Sequence, residues 1–124
     1  MFQFPKKQKL CSEKSIDKLF LNGKSILESP FLAIWDLEEK NNFLPLRALI
    51  VVSKKKIKKA HQRNTLKRRV REAYRVQKKE LESLLESNSQ QLNLAIIYQR
   101  NEIYDYNYLE KKINLLLRRL IKVL

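Results

Sequence analysis

Apolar positions recur at helical spacing in three stretches of the chain and form unbroken runs in three others. From Ser12 to Asn22, Ile16, Leu19 and Phe20 stand at i, i+3 and i+4. Ser12 suits the N-cap and Gly23 the left-handed position after a helix, so a short helix is predicted there. Phe31 to Leu37 is a bulky apolar run between Pro30 and the polar Asn41-Asn42 turn, which predicts a strand. Arg47 to Ser53 is β-branched and continuous, as in a strand buried on both faces, and Leu92 to Tyr98 repeats that character. From His61 to Glu86 one helical arc holds Leu66, Val70, Ala73, Tyr74, Leu81, Leu84 and Leu85. The opposite arc holds Asn64, Lys67, Arg68, Arg71, Arg75, Lys78 and Lys79. From about Asn107, Leu109, Ile113, Leu116, Leu117, Leu120 and Leu124 share one stripe. The predicted order is α-β-β-α-β-α, an α/β (α+β) class with a single small sheet and packed helices.

Residue counts narrow the chemistry. At 124 residues the chain is one domain's worth. One glycine excludes phosphate-cradling and dinucleotide loops, which need several close together. One cysteine, Cys11, excludes disulfide frameworks and thiolate zinc sites and fits a reducing compartment. A single histidine, His61, leaves little for a histidine metal site or a Ser-His-Asp triad. No apolar run approaches the roughly 20 residues of a membrane span, and Met-Phe-Gln-Phe-Pro-Lys-Lys is not an export signal. The expectation is a soluble, cytoplasmic protein.

Charge changes the picture most. The formal net charge is +14, and between Arg47 and Lys79 there are 14 basic residues against one acid, Glu72. The remainder holds 13 basic and 12 acidic residues. Such self-repulsion destabilises a compact state, so a polyanionic partner is the natural reason for it. Nucleic acid leads and an anionic membrane surface follows. A surface-lying helix would want Trp or Phe on its apolar face, where this one offers Leu, Val, Ala and Tyr. A DNA-reading helix would want a heptad seam or a helix-turn-helix pattern, and neither is present. The expectation is a nucleic-acid partner, with no DNA-reading module and no membrane.

Asn64, Lys67, Arg68, Arg71 and Arg75, spaced by three or four, project as a ridge. Guanidinium forks onto phosphate oxygens and lysines add point charges. Lys54, Lys55, Lys58 and Lys59 form the loop that feeds this helix and are read as further phosphate contacts. Glu72, three residues from both Arg69 and Arg75, is read as orienting an arginine.

The stretch Ala60, Arg63, Asn64, Lys67, Arg68, Arg71, Glu72, Tyr74, Arg75 resembles the signature of the protein component of bacterial ribonuclease P. That signature runs Ala-x-x-Arg-Asn-Arg-x-Lys-Arg-x-x-Arg-Glu-x-Phe/Tyr-Arg. Phe4-Pro5-Lys6 before a short helix, Arg47 opening a strand that leads into Val52-Ser53-Lys54-Lys55, and a third strand before a C-terminal helix extend the likeness to about residues 4–122. Thr65 stands where the signature has its second arginine, and His61 where it has a small apolar residue.

The resemblance implies one domain over residues 1–124, with 1–9 an extended N-terminal arm, and a small α/β sandwich with an unusual left-handed crossover between parallel strands. It implies a subunit that joins a catalytic RNA, the complex cleaving the 5′ leader from precursor tRNA with Mg²⁺ held mainly by the RNA. Carried over, Arg63, Asn64, Lys67, Arg68, Arg71 and Arg75 contact RNA, Asn64 near RNA-bound Mg²⁺, and Phe20 with Ile16 lines a cleft for the precursor tRNA 5′ leader. The residues agree on one point without it. Two-metal phosphoryl chemistry needs clustered carboxylates, and the basic segment holds one. No catalytic residue is expected in the protein itself. The competing reading is a structural RNA binder of ribosomal type.

Of the remaining residues, Trp35 is read as core, and Tyr104, Tyr106 and Tyr108 as a wet loop packed on the last helix. His61 is read as a helix-start residue and Cys11 as incidental.

Overall fold

The computed structural model describes residues 19–39 and 46–124. Residues 19–22 are helical and lead into β1 (Lys24–Glu28), β2 (Phe31–Glu39) and β3 (Leu46–Val52). Helices α1 (Ala60–Gln77) and α2 (Lys79–Ser87), strand β4 (Gln90–Tyr98) and helix α3 (Tyr106–Val123) follow. One four-stranded mixed sheet has the order β1-β2-β4-β3, with β1–β2 and β2–β4 antiparallel and β3–β4 parallel. The expected strand–helix–strand unit is therefore present: α1 and α2 connect two adjacent parallel strands.

Two elements differ from expectation. β1 was not anticipated, because its five residues bury only Ile26 and lack the alternation that marks a half-buried strand. The helix expected across His61 to Glu86 is two helices that part at Lys78. Tyr74 and Leu81 are seven residues apart and stay nearly in phase on a helical wheel, so the periodicity runs across the break unchanged. Tertiary contacts explain the turn. Gln77 Nε2 donates to the carbonyls of Ala73 (3.1 Å) and Glu110 (3.0 Å), tying the end of α1 to α3. Beyond it, α2 turns Leu81 and Leu85 into the core against β4.

The core lies between one sheet face and the three helices. The sheet contributes Ile26, Phe31, Ala33, Trp35, Leu46, Ala48, Ile50, Val52, Leu92, Leu94, Ile96 and Tyr98. The stripes anticipated on α1 and α3 supply Leu66, Val70, Ala73 and Tyr74, and Leu109, Ile113, Leu116, Leu117 and Leu120. Leu84 and Leu124 are only partly buried. Trp35 is core, with Lys24 Nζ 5.4 Å from its ring. Tyr104 stacks on Tyr108 at 4.4 Å and packs against the core, but only Tyr104 is in the loop. Helix α3 starts at Tyr106, so Tyr106 and Tyr108 belong to its first turn, not to a loop packed on it. Asp105 caps α3 by accepting from the Tyr108 amide at 2.9 Å.

β4 is buried on both faces over residues 91–96, but β3 alternates between buried and half-buried positions. The expectation of a doubly buried strand fails for β3, as the same alternation in β2 shows, because the second sheet face is only partly covered. In β3, Arg47, Leu49 and Val51 point to the second face, away from the three helices. There Leu19 packs on Ala95 beside Ile34 and Leu49.

Gly23 has no positive φ, so it does not serve as a left-handed cap. It is needed for close approach. Its amide donates to Leu19 O at 2.8 Å, and a Cβ would collide with that same oxygen and reach within 2.7 Å of Ile34 Cγ2. Gly23→Ala is expected to destabilise the fold by about 1–3 kcal/mol through this overlap. Thermal denaturation checks it, and an unchanged midpoint would mean the helix end moves away from the sheet at no cost.

Candidate nucleic-acid interface

Residues 53–59 join β3 to α1 and form a compact loop, not a free strand of lysines. Ile57 is 3% exposed and belongs to the core. Its amide donates to Ser53 O at 3.1 Å, and Arg63 Nη1 donates to the carbonyls of Ile57 (2.9 Å) and Lys58 (2.8 Å). Burying Ile57 turns Lys54, Lys55, Lys56, Lys58 and Lys59 outward, and all five are exposed. Lys54, Lys55, Lys58 and Lys59 make no side-chain hydrogen bond or ion pair among the described residues.

α1 begins directly after this loop. Lys59, at its N-cap, makes no side-chain cap, and the first turn holds no acidic residue. The helix start therefore presents uncompensated N–H groups and the positive end of its dipole beside the lysines, an arrangement that favours phosphate. Asn64, Arg68 and Arg75 are exposed on the outer face of α1, and Lys67 and Arg71 half-exposed. From Asn64 to Arg75 this ridge runs roughly 16 Å along the helix.

The five arginines of α1 divide by what they touch. Arg63 holds the lysine loop. Arg69, off the ridge, donates from Nη1 to Tyr104 O at 2.7 Å and ties the helix to the loop before α3. Arg75 lies against Glu72 in a two-pronged contact, Nη2 to Oε1 at 2.6 Å and Nε to Oε2 at 3.1 Å. That hydrogen-bonded pair holds the Glu72 carboxyl below its ordinary range, and the orienting role read for Glu72 falls on Arg75. Exposed pairs of this kind contribute little, so a phosphate can compete for Arg75. Arg68 and Arg71 make no hydrogen bond or ion pair among the described residues. They are the guanidinium groups left wholly for a partner.

Thr65 Oγ1 donates back to His61 O at 2.9 Å, so where the signature has an arginine this chain has an inward-bonded hydroxyl. His61 is exposed in the first turn of α1, as a helix-start residue should be. Of the two residues expected to line a leader cleft, Phe20 is 46% exposed beside the second sheet face, and Ile16 lies outside the described residues, as do Cys11 and residues 1–9. Phe20 is thus open to a stacking partner, while its neighbour Leu19 packs on the sheet.

The second face also carries a polar row that the linear pattern did not single out. Arg47 Nε donates to Asn93 Oδ1 at 3.1 Å, and Asn93 Nδ2 donates to Asp36 Oδ1 at 2.9 Å. Asn93 is 1% exposed and its amide satisfies both neighbours. The signal was present in the sequence as polar residues inside apolar runs, but only the register Asp36–Asn93–Arg47 across three strands makes them a network.

No three His, Cys, Asp or Glu side chains gather among the described residues in an arrangement that could hold a metal ion. No described helix is long and apolar enough to cross a membrane.

Comparison with known proteins agrees with this architecture. The family model for Ribonuclease P matches residues 4–121. A ribonuclease P protein component of Porphyromonas gingivalis is 28% identical over 110 residues, covering 89% of this chain and 80% of that one. One of Legionella pneumophila is 36% identical over 75 residues, 60% of this chain and 63% of the other. Among solved structures, the RNase P protein of Thermotoga maritima superposes with a TM-score of 0.67 at 28% identity, over 90% of this chain and 96% of that one. The Staphylococcus aureus RNase P protein shares the fold with a TM-score of 0.70 at 20% identity, over 91% and 94% of the two chains. Its motif helix, mixed sheet and near full-length match agree: the chain belongs to the ribonuclease P protein family.

Proposed function

We infer that the chain works as the auxiliary protein subunit of ribonuclease P, the endoribonuclease that removes the 5′ leader of precursor tRNA. The observation that carries this reading is the ridge on α1, where Arg68 and Arg71 stand uncompensated within a family-matched helix. Asn64, Lys67, Arg68, Arg71 and Arg75 contact the catalytic RNA, and Arg63 stands beside them at the helix start. Lys54, Lys55, Lys58 and Lys59 extend the contact along the adjoining loop. Phe20, with Ile16, borders the path of the single-stranded leader, where an exposed ring can stack on a base whatever its identity.

The chemistry belongs to the RNA. Hydrolysis of a phosphodiester by two metals calls for gathered carboxylates, and the described residues offer no such set. The described residues gather no carboxylate set for Mg²⁺, and the reading assigns the ion to RNA phosphates. Asn64 is the ridge residue suited to hydrogen-bond the RNA near such an ion, because its amide both donates and accepts. The particle is cytoplasmic.

The test is 5′-end mapping of a precursor tRNA incubated at low Mg²⁺ with the chain and ribonuclease P RNA from the same source. Controls omit the protein, omit the RNA, or substitute an equally basic protein. Cleavage at the mature 5′ end that needs both components is expected. A chain that neither binds that RNA nor improves its cleavage would overturn the reading and leave a structural, ribosomal-type RNA binder.

A further inference from the structure

We propose that Arg63 is a positioning residue, serving RNA binding by fixing the lysine loop between β3 and α1 instead of by meeting phosphate itself. This rests on the ribonucleoprotein reading above and names a division of labour within its interface.

Three observations converge on it. Arg63 is half-buried with its guanidinium engaged by the protein, whereas the equally half-buried Arg71 makes no hydrogen bond or ion pair among the described residues. One of its terminal nitrogens, Nη1, donates to two consecutive loop carbonyls, Ile57 O at 2.9 Å and Lys58 O at 2.8 Å. The loop it grips carries five exposed lysines. It is otherwise held by the buried Ile57 side chain, by the bonds to Ser53 from the Ile57 amide (3.1 Å) and the Lys56 amide (3.3 Å), and at its end by those from the Gln62 and Arg63 amides to Lys59 O (3.1 Å each).

Five like charges on a short segment repel one another and drive it toward many arrangements. A loop that must be ordered at the moment of binding loses affinity to that ordering, and one already fixed does not. The guanidinium is suited to the task because it offers several N–H donors in a rigid fork and never loses its proton. Its charge also adds to the local positive potential, but its hydrogen bonds are spent on the protein. Lys58 carries one of the gripped carbonyls and Lys59 follows it directly, so they are the lysines whose placement depends on it most directly.

A double-mutant cycle on the full chain decides this, using ribonuclease P RNA from the same source as the probe. Arg63→Ala is expected to weaken binding about tenfold. In a Lys58→Ala, Lys59→Ala background the same change is expected to cost no more than about twofold, because the groups it positions are gone. Hydrogen exchange of the Ile57 amide in the free protein is expected to speed up in Arg63→Ala, while amides of β4 hold their protection. An equal loss in both backgrounds would mean that Arg63 meets RNA directly and would overturn the proposal. Unchanged exchange at Ile57 would overturn it as well, by showing that the loop holds without the clamp. If the unsubstituted chain fails to bind this RNA, the ribonucleoprotein reading falls and the role in RNA binding falls with it. The exchange comparison would then still report the clamp as a structural fact.

Discussion

Raising monovalent salt from about 50 to about 200 mM is expected to weaken binding of the chain to ribonuclease P RNA by roughly 250-fold, a log–log slope near −4. The slope follows from about six phosphate contacts on single strands, each releasing condensed counterions. The sequence supplies the charge: 14 basic residues and one acid between Arg47 and Lys79. The fold decides how much of it is available. Arg63 and Arg69 spend hydrogen bonds on loop carbonyls, and Arg75 is shared with Glu72. Against these stand Arg68, Arg71 and the outward lysines of the loop, with no side-chain partner among the described residues. Filter binding or anisotropy across a salt series measures the slope. A flat response would remove electrostatics as the basis of the interaction.

Arg68→Ala and Arg71→Ala are each expected to weaken RNA binding by about 1.5–3 kcal/mol, roughly 10- to 150-fold, the range for hydrogen bonds to a charged group. Their effect on the fold should be slight. Neither side chain bonds to another described residue, so the thermal midpoint should stay within about 3 °C, as for most surface substitutions. Arg69→Ala is the internal contrast. It removes the 2.7 Å bond to Tyr104 O that ties α1 to the segment before α3, so it should lower the midpoint while sparing affinity. Calorimetry and binding measured on the same three variants separate the two classes. A large loss of stability in Arg68→Ala or Arg71→Ala would mean that the outer face of α1 has been misassigned, and normal binding by both would place the RNA elsewhere.

The linear sequence determined the elements whose side chains report a single environment. The stripes on α1 and α3 were legible because a helix packed on one side must repeat its apolar residues every three to four positions, and those residues are the ones buried. β2 and β4 were legible as dense apolar runs at the centre of the sheet. The basic ridge was legible for the complementary reason, since residues opposite the buried arc have nowhere to go but solvent or a partner. Family membership was legible too, because the Arg63 to Arg75 pattern survives with Thr65 as its one lost charge.

Only the tertiary structure decided what depends on a second segment of chain. β1 exists because β2 offers it a ladder and Arg119 reaches from α3 to its Leu27 carbonyl at 2.7 Å, neither of which is written in Lys24–Glu28. The turn at Lys78 depends on a carbonyl of Glu110, 33 residues beyond Gln77. Leu19 and Phe20 are adjacent and both apolar, yet one is buried on Ala95 and the other open, because the helix end at Gly23 presses one side against Ile34. The arginines of α1 look alike in sequence and differ in work for the same reason. A guanidinium close to an unsatisfied carbonyl will bond it, and which carbonyls lie close is a property of the packed loops at Ile57 and Tyr104. Periodicity tells which way a side chain faces, and only the fold tells what it finds there.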